Sequence, residues 1–306
     1  MSAVKDYFKK NASLMKLACR LALLAALVLS TVGIYYVVLY FKGGDKEPAF
    51  GPELYYALDM AQEANEYTRV IIGDSVARLI FAPDYQEETK ETCYLATNQA
   101  ITVLGNYILL SRYLENNPQT KEVVYIVRPQ SLANPLWFNY SFQYFIVPFY
   151  NDEYKDYIDA DTREYIEERF GKMYAANGLV KSFIENNAYY LDVYLNNILE
   201  QQLEERDEKH LSALAVKYLP LMEELCARYG AAFKVMAAPL PDTPQNRDWS
   251  GFAAQIEAEG LTALLGDYLA GIDYYDEAYF SDEAHFTKEY LDANRQEIIE
   301  RLFEGE

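Results

Sequence analysis

Apolar residues in this chain recur in two rhythms. Five short runs are dense in β-branched and aromatic residues: Arg69–Gly73 (RVIIG), Cys93–Ala96 (CYLA), Glu122–Val127 (EVVYIV), Ala232–Ala237 (AFKVMA) and Ile272–Tyr275 (IDYY). Their length and composition are those of buried strands. Longer stretches carry apolar positions at helical spacing and predict helices over Ile101–Leu114, Leu211–Tyr229, Phe252–Leu269 and Lys288–Phe303. Strands separated by helices imply right-handed crossovers and a mostly parallel sheet, so the pattern predicts a three-layer α/β domain that begins near Leu54.

Two segments break the rhythm. Leu21–Phe41 (LALLAALVLSTVGIYYVVLYF) is uncharged and apolar, about the 20 residues a helix needs to cross a hydrocarbon core. It exceeds a secretory apolar core of about 7–15 residues, and no small-x-small cleavage site follows, so it reads as a retained anchor. Lys5, Lys9, Lys10, Lys16 and Arg20 precede it against Asp6 alone, which keeps residues 1–20 cytoplasmic and places everything from about Lys42 outside. Tyr35, Tyr36 and Tyr40 suit the outer interface. The expected organisation is a basic tail at 1–20, a transmembrane anchor at 21–41, a Gly/Pro-rich linker at 42–53 and an extracytoplasmic domain at 54–306.

The second interruption lies between the third and fourth strands, where the chain is far longer than a crossover requires. It predicts a helical insertion over about 135–210, serving as a cap or lid. Its aromatic cluster from Trp137 to Tyr150 can stack on sugar rings, but such residues more often fill a core, and that is the reading adopted.

Charge and residue counts then remove whole classes of function. The 306 residues hold 27 Lys+Arg against 47 Asp+Glu, a net charge of -20 that repels a phosphate backbone and excludes nucleic acid as a partner. With two histidines, no CxxC and no HExxH, no metal site is expected. No GxxxxGK[ST] loop is present, so DEAH at Asp282–His285 is not a helicase box. Cys93 and Cys226 are read as free core thiols, and Cys19 borders the apolar run. His210, in LEERDEKHLSAL, reads as part of a solvated face.

The remaining signals carry chemistry. Gly73-Asp74-Ser75 closes the first strand, where an α/β sheet presents residues to a cleft and the next helix offers backbone N–H groups to an anion. Alone, it could be a turn with a capping serine. Near the other end, YFSDEAHFTKEY sets Asp282 three residues before His285, close enough for the carboxylate to orient the imidazole. Alone, that could be a capping Asp beside an incidental His. Together they place a nucleophile after the first strand and an Asp–His pair after the last, as one shared site requires.

GDS after the first strand with DxxH before the last helix resembles the SGNH/GDSL hydrolase superfamily. The anchor and long insertion resemble its cell-envelope branch, which includes the D-alanine transfer protein of teichoic acids and the alginate O-acetylation proteins. The resemblance runs over about Arg69–Phe303, and only the two triad motifs in it are specific. It implies a flavodoxin-like SGNH fold with Ser75 as nucleophile, His285 as general base and Asp282 as orienting carboxylate. It also implies acyl transfer or ester hydrolysis without metal or cofactor.

The family's second block is represented by ATNQAIT, with Ala100 at its usual glycine and Asn98 or Gln99 nearby as oxyanion donors. Its third block is absent: the strand end reads VRPQSLANP, with Asn134 as a substitute donor. The expected substrate is an acyl ester of cell-surface glycan, and a membrane-bound O-acyltransferase is an expected partner. Two alternatives stay open: a non-catalytic glycan-binding or accessory subunit with a vestigial triad, and a lipase held at its substrate by the anchor.

Overall fold

The computed structural model describes residues 12–41, 51–81, 91–137, 141–174 and 208–304. Two compact units divide the chain, residues 1–47 and 48–306. Among its described residues the first holds one helix, α1 (Ala12–Phe41), which contains the whole apolar run. Its described side chains are continuous only from Cys19 to Thr31, with Leu21, Leu23, Leu24, Leu27 and Leu29 exposed. Among the described residues no helix is long and apolar enough to cross a membrane. Most of the linker expected at 42–53 lies outside the described residues, and helix α2 (Pro52–Gln62) already opens at Pro52.

The second unit is built on strands β1 (Arg69–Gly73), β2 (Thr92–Tyr94), β3 (Glu122–Val127) and β4 (Ala232–Ala237). All pair in parallel in the order β2-β1-β3-β4. This agrees with the first four strands of a flavodoxin-like order. Between them run helices α3 (Ser75–Ile80), α4 (Thr102–Asn116), α5 (Ala160–Tyr174) and α6 (Ala213–Tyr229).

β1 and β3 are buried almost from end to end, as strands covered on both faces must be. Alternate residues face opposite layers: Val70, Ile72, Val123, Tyr125 and Val127 pack with α2, α4, α6 and the insertion, whereas Ile71, Val124 and Ile126 pack with α3 and the C-terminal helix. The three-layer mixed α/β architecture expected from the sequence is present.

Two expectations need correction. The fifth strand, expected over Ile272–Tyr275 as part of the main sheet, is only β6 (Tyr274–Tyr275), paired with β5 (Leu240–Pro241) in a separate two-stranded sheet. Pro239 and Pro241 lack N–H donors. Pairing survives only where Leu240 donates to the Asp273 carbonyl at 2.9 Å and Asp242 to Tyr275 at 2.7 Å. The helix expected over Phe252–Leu269 is two, α7 (Ser250–Ala258) and α8 (Thr262–Leu265). Gly260, at φ +72°, ends the first in the left-handed conformation that glycine adopts at no steric cost.

The last helix, α9 (Lys288–Leu302), matches expectation. Of the insertion expected at 135–210, residues 141–174 contain a π-helical turn and α5, and 175–207 lie outside the described residues. Phe142, Phe145 and Phe149 are buried in the main core, so the aromatic cluster fills space here.

Candidate active site

Gly73 ends β1 at a point where no other residue fits. A Cβ there would lie 2.1 Å from the Ile126 carbonyl oxygen and 2.8 Å from Ala77 Cβ. Gly73 is needed for this close approach of α3 to the sheet. It is absent from the glycines with positive φ.

Asp74 follows, buried, as the N-cap of α3. Its Oδ1 accepts the Val76 N–H at 2.9 Å. Oδ2 accepts the Arg128 backbone N–H at 3.0 Å and the Ser131 hydroxyl at 2.6 Å, and the Arg128 guanidinium lies 3.5 Å away. Asp74 therefore fastens the end of β1 to the segment after β3. The helix N–H expected to be offered to an anion is, at Val76, already spent on this carboxylate.

Ser75, the first residue of α3, is buried and points its Oγ at His285 Nε2, 2.8 Å away. The two residues are 210 apart in sequence. On the far side of the ring, His285 Nδ1 lies 2.9 Å from Asp282 Oδ2 and 3.0 Å from Oδ1. With Nδ1–H donated to the carboxylate, Nε2 presents its lone pair to the serine hydroxyl. The three residues that sequence reasoning picked out are thus brought into one hydrogen-bonded chain.

The loop that carries the pair is held by its own hydrogen bonds. Asp282 Oδ1 also accepts the backbone N–H groups of Ala284 and His285, both at 2.8 Å. Burial pushes the Asp282 carboxyl up, but these hydrogen bonds, led by the one from His285, outweigh it and hold the carboxyl below its ordinary range. The Ser281 N–H donates to the His285 carbonyl and Thr287 N–H to Tyr279, both at 2.8 Å. Phe280 stacks on Phe286 at 4.4 Å between ring centres, so the turn closes as a small hairpin before Thr287 caps α9.

The expected oxyanion donors fare differently. The Ala100 backbone N–H donates to Asn98 Oδ1 at 2.9 Å, inside the 3-10 turn that Asn98 caps, so this N–H is committed to the Asn98 side-chain oxygen. Asn134 is buried; its Nδ2 donates to the Gln99 carbonyl at 3.0 Å and its Oδ1 accepts the Trp137 N–H at 2.8 Å. Both residues build the turn here. The Gln99 side chain is bound to Arg128, its Oε1 accepting from Arg128 Nη2 at 2.8 Å. The turn ends at Thr102 with φ +58°, a conformation that costs a β-branched residue on the order of 1–3 kcal/mol.

Sequence reasoning missed Asp74 as a clamp and Arg128 as its partner. The available signal was a charged residue between an apolar strand and a proline in VRPQ.

Among the described residues no group of three or more His, Cys, Asp or Glu is placed to hold a metal ion. His210 is exposed, in a bend before α6. Cys93 and Cys226 are buried free thiols, as expected. Comparison of the sequence with family models and with curated proteins found no match.

Proposed function

We propose that this chain is a membrane-anchored, extracytoplasmic serine esterase or O-acyltransferase of the SGNH type, acting on acyl esters of cell-surface glycan. The observation that carries this reading is the continuous hydrogen-bonded chain from Ser75 Oγ through His285 to Asp282. His285 takes the serine proton as Oγ attacks the ester carbonyl, and Asp282 stabilises the imidazolium that forms. The alcohol leaves with a proton from His285. Water, or a sugar hydroxyl in the transferase, then attacks the acyl-serine with His285 again as base. The anchor rests on the apolar run and on the cations that precede it.

One observation favours a second reading, an accessory subunit of a membrane O-acyltransferase with a weakly active triad. The Ala100 N–H is held by Asn98, and loss of one oxyanion donor costs about 3–4 kcal/mol of transition-state stabilisation.

The test is labelling of the full chain in detergent by a fluorophosphonate, with Ser75→Ala and His285→Ala as controls. Labelling abolished in both variants supports the esterase. A folded wild-type chain that takes no label would sink it and favour the accessory subunit.

A further inference from the structure

Beside the triad lies a cleft of about 1020 Å³, lined by Gln99, Arg128 and Gln130 and by residues 280–283, which include Asp282. Its wall is polar: among the described lining residues only Pro241, Trp249 and Phe280 are apolar. A hydrocarbon acyl chain gains little from such a wall.

The charges there exclude a second class. Glu208, Glu277, Asp282 and Glu283 line the cleft against Arg128 and Lys209. Lys209 Nζ is already held by the Gln245 and Asp248 carbonyls and sits over the Trp249 ring. Arg128 shares its charge with Asp74. A phosphate or carboxylate entering the cleft meets more negative than positive charge.

Two groups in the wall ask for a ligand. Arg128 is 6% exposed and carries five N–H donors. Among the described residues its side chain makes one hydrogen bond, to Gln99, and its Nε, though 3.5 Å from Asp74, has no hydrogen-bond partner there. Gln130 donates through Nε2 to Asn246 at 3.2 Å, but its buried Oε1 accepts from none of the described residues. Two residues of the wall, Arg128 and Gln130, thus keep unused hydrogen-bonding capacity, donors on the one and an acceptor on the other. An ammonium group can only donate and a carboxylate can only accept; a hydroxyl or an amide does both.

We infer that this cleft is a subsite for an uncharged, hydroxyl- or amide-bearing sugar unit of the substrate, with Arg128 and Gln130 as its specificity-determining residues. The inference rests on the proposed ester chemistry for what the sugar is attached to. Arg128 gives a hydrogen bond to a sugar oxygen and Gln130 takes one from a hydroxyl or amide N–H, while Asp74 keeps the guanidinium in place.

The experiment is titration calorimetry on the full chain in detergent, carrying Ser75→Ala so that no turnover occurs. Its probes are chitotetraose and cellotetraose, with trigalacturonate as the anionic sugar and ethanolamine as the cation. Saturable binding of at least one neutral tetrasaccharide is expected, with trigalacturonate and ethanolamine at least tenfold weaker. Adding Gln130→Leu or Arg128→Met should weaken the neutral sugar about tenfold, as a lost hydrogen bond in a buried wall does. Gln130 makes no bond to the Asp74 clamp, so its variant keeps the test alive if Arg128→Met fails to fold. The inference is overturned if neither neutral sugar binds, if an ion binds as well, or if Gln130→Leu binds unchanged. Fluorophosphonate labelling without sugar binding would leave the triad standing and remove the subsite; sugar binding without labelling would do the reverse.

Discussion

Asp74 Oδ2 accepts the backbone N–H of Arg128 at 3.0 Å, joining the residue before the candidate nucleophile to the residue after the neighbouring strand. One buried carboxylate so fixes both walls of the site. Without it, Val76, Arg128 and Ser131 lose an acceptor and the Arg128 guanidinium loses its counter-charge. Asp74→Ala should therefore lower unfolding free energy by about 3–5 kcal/mol, the cost of breaking a buried pair from one side. A denaturant titration measures this, and a change below about 1 kcal/mol would show the clamp to be idle.

Gly73→Ala should be severe for a different reason. The new methyl would sit against a backbone oxygen, that of Ile126, which cannot rotate away. Either β1 and β3 separate or α3 lifts with Ser75. A destabilisation of about 3 kcal/mol is expected, together with slower fluorophosphonate labelling of whatever remains folded. Wild-type stability and labelling in this variant would show that the strand end moves freely.

The triad gives a graded expectation. Asp282 is 54% exposed at its side chain, so water screens it more than the buried carboxylate of a protease triad. Asp282→Asn should reduce labelling by on the order of 10³-fold, less than the roughly 10⁴ seen when a buried triad carboxylate is replaced. Rates within tenfold of wild type would mean that His285 needs no orienting carboxylate.

How far the sequence disclosed this arrangement follows from the physics of each part. β1 and β3 were legible because continuous apolar runs bounded by polar residues leave few alternatives. Ser75, Asp282 and His285 were legible because their spacing in the chain matched one site. The break at Gly260 was available as a turn signal but was overridden by the flanking apolar periodicity. The commitment of the Ala100 N–H was not legible at all: whether a backbone donor faces a cleft or its neighbour's side chain depends on the dihedrals of the turn, which residue types alone do not set.

The two core thiols should be chemically silent. Burial pushes Cys93 up to about 12, against a smaller opposing effect from the Tyr113 hydroxyl, and pushes Cys226 up to about 12 as well. At pH 8 neither carries appreciable thiolate, the form that reacts. Iodoacetamide should modify Cys19, which is exposed, and should reach the other two only after denaturation. Rapid native modification at Cys93 or Cys226, read by peptide mass spectrometry, would show that the core opens there.

Acid should loosen the insertion first, through Asp159. Burial pushes this carboxyl up, but hydrogen bonds from Lys217 at 2.6 Å, from Tyr218 at 2.7 Å and from Thr162 outweigh it and hold the carboxyl far below its ordinary range. These bonds tie the start of α5 to α6. Because the folded-state value is the lower one, the unfolded chain binds the proton first as pH falls. The stabilisation is complete well above an ordinary Asp value of about 3.9 and is lost progressively below it. Wild-type unfolding midpoints should therefore drop more steeply between about pH 4 and pH 2 than those of Asp159→Asn, which cannot titrate. The variant should be less stable at neutral pH, and the two curves should converge in acid. Parallel curves across that interval would mean that Asp159 gains nothing from its partners. The carboxylate is partly exposed, so raising the salt concentration should narrow the gap between the curves.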